Sequence, residues 1–160
     1  MFNSRQVADF LRKFIPCRDI TNVVDGKTEL YLRRFFITPR NLSYKVFLHY
    51  IARSDEDRCT HDHPWDFTSF IFWNGYHEQI LNKEDVLVNK TAAAPCVRIN
   101  NGEHRHKVEL IGPTWTLVLA GPRRRVWGFW PATISGKYKF GDWRTYLGLP
   151  QNTPDSMEDV

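Results

Sequence analysis

"CTHDHPWDF", residues 59–67, sets His61 and His63 one residue apart in a chain of 160 residues with six histidines. In an extended segment alternate side chains share a face, so the two imidazoles converge on one point. Convergent neutral imidazoles are what a divalent metal needs. A bare H-x-H also occurs on polar surface strands, so the meaning of the stretch depends on a second cluster elsewhere. "EHRHKVEL", residues 103–110, supplies one: His104 and His106 repeat the one-residue gap just after an Asn100–Gly102 turn signal. If that segment is extended, both histidines face one side and Arg105 and Lys107 the other.

Around these two clusters the hydrophobic pattern has period two. "ELYLRRFFI", "YKVFLHYIA", "FTSFIFW", "DVLVNKT", "PCVRI", "EHRHKVEL", "TWTLVLAGP" and "RRVWGFW" read as short strands. Asn74-Gly75 marks a hairpin or a strand bend before "YHEQI", "AAAP" reads as a loop, and "DGK" as a turn. Residues 4–15 read instead as an amphipathic helix. Val7, Phe10, Leu11, Phe14 and Ile15 form its stripe, Asn3 or Ser4 its cap, and Pro16 its end. About eight strands at close spacing favour a closed or sandwiched antiparallel architecture, because an open flat sheet exposes its edges. The expectation is an all-β jelly-roll barrel over residues 17–149, preceded by one short N-terminal helix within 1–16. A flexible acidic tail over 150–160 follows it. No internal repeat is visible.

Composition agrees with one aromatic-rich domain: six Trp, eleven Phe and six Tyr supply the core. No run approaches the ~20 apolar residues of a membrane span, and the N-terminus lacks a signal-peptide core, which points to the cytoplasm. Cys17, Cys59 and Cys96 are odd in number and far apart, as thiols of a reducing compartment are. Cys59 with His61 and His63 also raises a mixed thiolate–imidazole zinc site. Net charge is only +4. Arg123, Arg124 and Arg125 stand before aromatics in "PRRRVWGFWP", with Arg33-Arg34 as a second basic pair. A small anionic molecule is the expected partner, and nucleic acid is not.

"HDHPWDF…GYHE", "HRHKVEL" and "PTWTLVLAGPRRRVWGFW" together resemble the cupin superfamily, and more narrowly its small bacterial and phage single-domain members. The resemblance covers roughly residues 29–147. It implies a cupin-type barrel in which the first motif gives two metal ligands, His61 and His63, and the second a third. His106 is the more natural third ligand, with His104 the alternative. Where most metal-binding cupins carry a glutamate after the second histidine, Phe67 and Thr68 stand here. Asp66 is the nearest carboxylate, as ligand, as support for an imidazole, or as a catalytic acid–base partner of His63. Thiol dioxygenases share the His-Asp-His motif and bind iron through three histidines.

The resemblance therefore implies a divalent metal, Fe(II) first and Zn, Ni or Mn after it, and a non-haem dioxygenase acting on a small anionic substrate. An inward arginine, Arg124 or Arg125, would anchor that substrate, with Trp65 and Trp115 as pocket walls. Glu78 is a further acid or base if the bend at Asn74-Gly75 brings it back. Two other functions fit the same pattern: a non-catalytic ligand-binding or interaction module, and a metal-free sugar-nucleotide isomerase or epimerase. A barrel of this size is also expected to form a homodimer.

Overall fold

Two long strands, β5 (Phe67–Leu81) and β8 (Arg105–Ala120), pair antiparallel along most of their length and form the spine of the molecule. The computed structural model describes residues 3–55 and 59–152. β8 joins the "HRHKVEL" and "TWTLVLA" runs into one strand, and β5 runs straight through Asn74-Gly75, where a hairpin was one expectation. The register slips between Ile71 and Tyr76, and Gly75 comes to lie opposite Gly112. Asn74 (φ 55°) and Gly75 (φ 131°) take left-handed backbone there. A Cβ at Gly75 would meet the Ala92 carbonyl, so only glycine lets the neighbouring strand approach. The signal marks a bend, where the spine turns around the barrel.

Shorter strands complete the barrel. β1 (Cys17–Val24), β2 (Lys27–Phe36) and β3 (Lys45–Ile51) pair in sequence order, and β3 pairs with the second half of β8. The period-two pattern did not reveal β1, whose hairpin to β2 turns at Asp25-Gly26, both with positive φ, as a two-residue hairpin turn requires. β4 (Thr60–His61) joins β8 at His106 and β9 (Gly128–Trp130) at Phe129. β6 (Leu87–Ala93) and β7 (Cys96–Asn100) flank β5, and "AAAP" is strand as far as Ala93. β10 (Gly141–Asp142) and the single helical turn α2 (Trp143–Tyr146) close the end beside β9.

The N-terminal helix α1 spans Ser4–Leu11, shorter than the 4–15 expected, and continues as turns to Ile15. Asn3 caps it: its side chain accepts from the Gln6 amide and the Gln6 side chain accepts from the Asn3 amide, both at 2.9 Å. Of the expected stripe, Val7, Phe10 and Phe14 stay exposed, the two Phe rings tilted against each other, while Leu11 and Ile15 pack with Ala8 on the barrel's outer face. That contact includes Phe35, Tyr50 and Trp115. Buried Arg33 fixes the helix further, bonding Asp9 at 2.7 Å and Asp19 at 2.6 Å.

Trp115 thus lies under α1 and does not line the interior. On β8 the face that turns inward is Thr116, Val118 and Ala120, and of the bulky alternate face the helix covers Trp115 while Leu119 stays exposed. The interior cluster is Phe36, Phe47, Trp65, Val118 and Ala120. Trp65 does line the interior, as expected. Among the described residues no helix is long and apolar enough to cross a membrane. The expected tail falls mostly on residues 153–160, outside the described residues.

Candidate metal centre

A cavity of about 140 Å³ lies inside the barrel, and His61, His63 and His106 share its wall. β4 puts His61 directly opposite His106 in register. Beyond His61 the chain leaves the strand, and His63 is held by its own amide, which donates to the Gly102 carbonyl at 3.0 Å. One nitrogen of each ring lies within 4.8 Å of the others, and Nε2 of His63 and His106 are 2.8 Å apart. Nitrogens that bind one ion at about 2.0–2.1 Å stand about 3 Å from each other, so this spacing suits a shared metal.

The protonation chemistry suits it as well. Burial holds His63 well below its ordinary pKa, and the positive charge that His106 and His61 would carry adds to the effect. A neutral imidazole keeps the lone pair a metal takes. The His106 tautomer is set from behind, because its Nδ1 lies 2.6 Å from Glu78 Oε1. A carboxylate there draws the proton to Nδ1 and turns Nε2 toward His63. Asp55 sits 3.9 Å from His61 Nδ1 and is itself fixed by the Tyr31 hydroxyl and the Val108 amide.

Glu78 is the residue whose importance the sequence understated. It projects from β5 past the bend and is almost fully buried. His104 Nε2 approaches Oε1 at 2.7 Å, and Arg98 donates to Oε2 at 2.6 Å. Burial alone would raise its pKa, but the hydrogen bonds from His104 and His106 outweigh burial and hold the carboxyl far below the usual range. Glu78, His104 and His106 form a second cluster with ligand-capable spacing. His104 therefore belongs to the back of the centre, behind His106, and not to the cavity wall.

Asp62, between the two histidines of the first pair, points the other way and is fully buried. It accepts from the Gly128 amide at 2.8 Å, from Trp130 Nε1 at 3.0 Å and from Arg125 Nη2 at 3.0 Å. Burial pushes its carboxyl pKa up, and those donors oppose the shift. Arg125 also donates to the Gly102 carbonyl that receives the His63 amide. It braces the ligand loop and lies outside the cavity lining.

Two further expected site residues lie outside the cavity lining. Asp66 is half exposed and accepts from the Gly102 amide at 2.8 Å, acting as a loop brace and not as a partner of His63. Arg124, with its side chain 64% exposed, pairs with Asp66 at 3.0 Å on the surface. The segment 121–127 is not a strand, so the alternation that would have turned Arg124 inward does not apply. The inward arginine is Arg34 of β2, buried on the cavity wall. Cys59 packs beside Trp127, Phe129 and Trp143, and no cysteine joins a ligand cluster among the described residues.

No protein-family model matches the sequence, and no curated protein matches it. Solved structures do. Fe(II)-HppE with the alternative substrate (S)-1-HPP is 12% identical, over 68% of this chain and 56% of that one, with a TM-score of 0.50. Hydroxypropylphosphonic acid epoxidase from S. wedmorenis is 12% identical over 68% and 56%, with a TM-score of 0.49. An RmlC-like cupin from Shewanella frigidimarina NCIMB 400 is 13% identical over 71% and 88%, with a TM-score of 0.48. The chain spans little more than half the length, 56%, of the first of these. The likeness is one of fold: an antiparallel jelly-roll barrel.

Proposed function

We propose that the chain binds one divalent metal, Fe(II) in the cell, on His61, His63 and His106, and acts as a non-haem dioxygenase on a small anionic substrate. The observation that supports this most is the convergence of three ring nitrogens on one cavity, that of His106 buried and oriented by a buried carboxylate. Three neutral donors leave an Fe(II) ion with open positions for a chelating substrate and dioxygen. The protein's own part is to keep His63 neutral by burial, to hold the proton of His106 on Nδ1 through Glu78, and to exclude water with Trp65, Phe67 and Phe129. Free thiols at Cys17, Cys59 and Cys96 fit action in the cytoplasm.

A second reading rests on the same Glu78–His106 contact. A histidine backed by a carboxylate is also the pair that metal-free acid–base isomerisation uses. Elemental analysis of the protein purified without a histidine tag separates the two. The metal reading expects close to one equivalent of a transition metal per chain, lost in His63→Ala. A metal-free wild type that cannot be loaded with Fe(II), Zn, Ni or Mn overturns it in favour of the acid–base pair or of a non-catalytic module.

A further inference from the structure

β5 and β8 carry two different outer faces on either side of their shared bend. Beyond it the residues that point away from the barrel are polar. His77 and Gln79 of β5 stand opposite Glu109 and Lys107 of β8 on one side, and opposite Thr91 and Asn89 of β6 on the other. Before the bend, in the same two strands, the outer face is apolar. Thr68 and Phe70 pair with Leu119 and Leu117 of β8 on one side and with Ile99 and Val97 of β7 on the other. Phe72 continues the row, its ring 6.1 Å from that of Phe70.

Water explains the first face and not the second, because an antiparallel sheet with one wet side shows polar residues there. Ile99 is 82% exposed, and Val97, Leu119, Phe70 and Phe72 are between 40% and 59% exposed. Together these five leave roughly 500 Å² of apolar surface uncovered, near the upper end of what a monomeric protein leaves open. The N-terminal helix covers the adjoining part of the same outer face, over Leu48 and Trp115, and Phe72 stands at its margin, 6.5 Å from the Trp115 ring. The helix therefore accounts for one part of the face and leaves the rest without a cover among the described residues.

We propose that this face docks a second copy of the chain, sheet against sheet about a two-fold axis. An interface between like subunits is about 65% apolar, so roughly 500 Å² of apolar surface on each side corresponds to about 800 Å² per chain, the size of a stable dimer. None of the five residues can ionise, so the face meets itself without bringing like charges together, as a two-fold contact requires. Rows of β-branched, leucine and aromatic side chains interdigitate when two sheets stack about 10 Å apart. Val97 and Ile99 also flank Arg98, whose side chain turns inward to Glu78. The docked copy thus clamps the strand that anchors the carboxylate behind His106, although the dimer itself does not depend on the metal-centre reading.

The test is sedimentation of the full chain across a dilution series, with hydrogen exchange at both ends of the series to place the contact. Wild type should sediment as a dimer that dissociates only near or below about 1 μM, as interfaces of that size do. β7 and the first half of β5 should exchange more slowly in the concentrated sample, and β6 should not change. Ile99→Asp should weaken the dimer by about 100-fold or more, because it buries an unpaired charge on each side of the axis. Val97→Thr, which puts a hydroxyl where a methyl stood, should weaken it by about 10-fold and keeps the test valid if Ile99→Asp does not fold. Asn89→Asp, on the polar face, should leave the dimer unchanged. A wild type that is monomeric throughout the series, a dimer indifferent to both patch variants, or one weakened equally by Asn89→Asp would overturn the proposal. Protection over β6 in place of β7, or a spread of larger species in place of a dimer, would overturn it as well.

Discussion

His61 and His63 both reach the cavity, whereas of His104 and His106, spaced identically, only His106 does. The first pair begins at the end of β4, and the loop that follows is pinned by Gly102, which brings His63 round beside His61. The second pair straddles the start of β8, which opens at Arg105, so His104 precedes the strand and turns to Glu78. Equal spacing gives equal direction only where a strand holds both residues. What the second pair gives up in ligands it supplies as support, because His104 and Arg98 help fix the carboxylate that orients His106.

Substitutions test that contrast, the largest effects first. His106→Ala should abolish metal retention through gel filtration and dialysis, as read by elemental analysis, with circular dichroism showing a folded barrel. Glu78→Gln should weaken metal binding by about 10- to 100-fold. It should also lower unfolding stability by about 3 kcal/mol, because it leaves His104, His106 and Arg98 without their common anion. Chemical denaturation of the metal-free protein reads the second effect.

The first pair also carries an acid sensitivity. His63 is neutral when folded because its pKa is pushed down from 6.5, and His49 shares that property. Below pH 6.5 the unfolded chain takes up protons there that the native chain does not. Stability is therefore complete above that pH and is lost as pH falls toward the folded pKa values. Each group contributes up to about 1.4 kcal/mol per pH unit. Denaturation midpoints of the metal-free protein should hold from pH 7.5 to about 6.5 and fall from there to pH 5, and His49→Gln should flatten the profile. A flat wild-type profile would mean both imidazoles take up protons in the fold.

Smaller effects should mark the residues outside the cavity. His104→Ala should cost metal affinity no more than about 10-fold, acting only through Glu78. If it removes the metal as fully as His106→Ala, both members of the second pair are ligands. Arg124→Ala should change stability by less than about 1 kcal/mol, since its partnership with Asp66 is solvent-exposed, and should leave metal content unaltered.

The histidines were legible in the sequence because their signal is local: two short-spaced pairs, each beside a turn. The antiparallel jelly-roll barrel was legible too, from period-two runs and turn residues. Which face of each strand turns inward was not. Along β5 the inward residues are Ser69 and Ile71 before the bend but Tyr76 and Glu78 after it. The register slip at Asn74-Gly75 thus exchanges odd for even positions, and no local pattern fixes Glu78 to the histidine side. Arg34 was hidden for a related reason. Arg33 and Arg34 are adjacent and chemically equal; Arg33 faces out, where Asp9 of α1 and Asp19 of β1 meet it, and Arg34 faces in. The triple arginine was the more conspicuous signal, but it lies where the chain leaves the sheet.

The bend shared by β5 and β8 has one more consequence. Asn74 Nδ2 donates to the Pro113 carbonyl at 2.8 Å, and Thr114 Oγ1 donates to the Gly75 carbonyl at 2.9 Å, so both strands turn the corner tied together. His106 and Glu78 lie on one side of that corner, and Thr116 and Ser69 on the other. The two ends of the cavity are therefore built into the same pair of strands, and neither can move away without straightening the tied corner. The molecule works as a fixed gauge: the tied corner sets the span between the His106 end of the cavity and its Thr116 end.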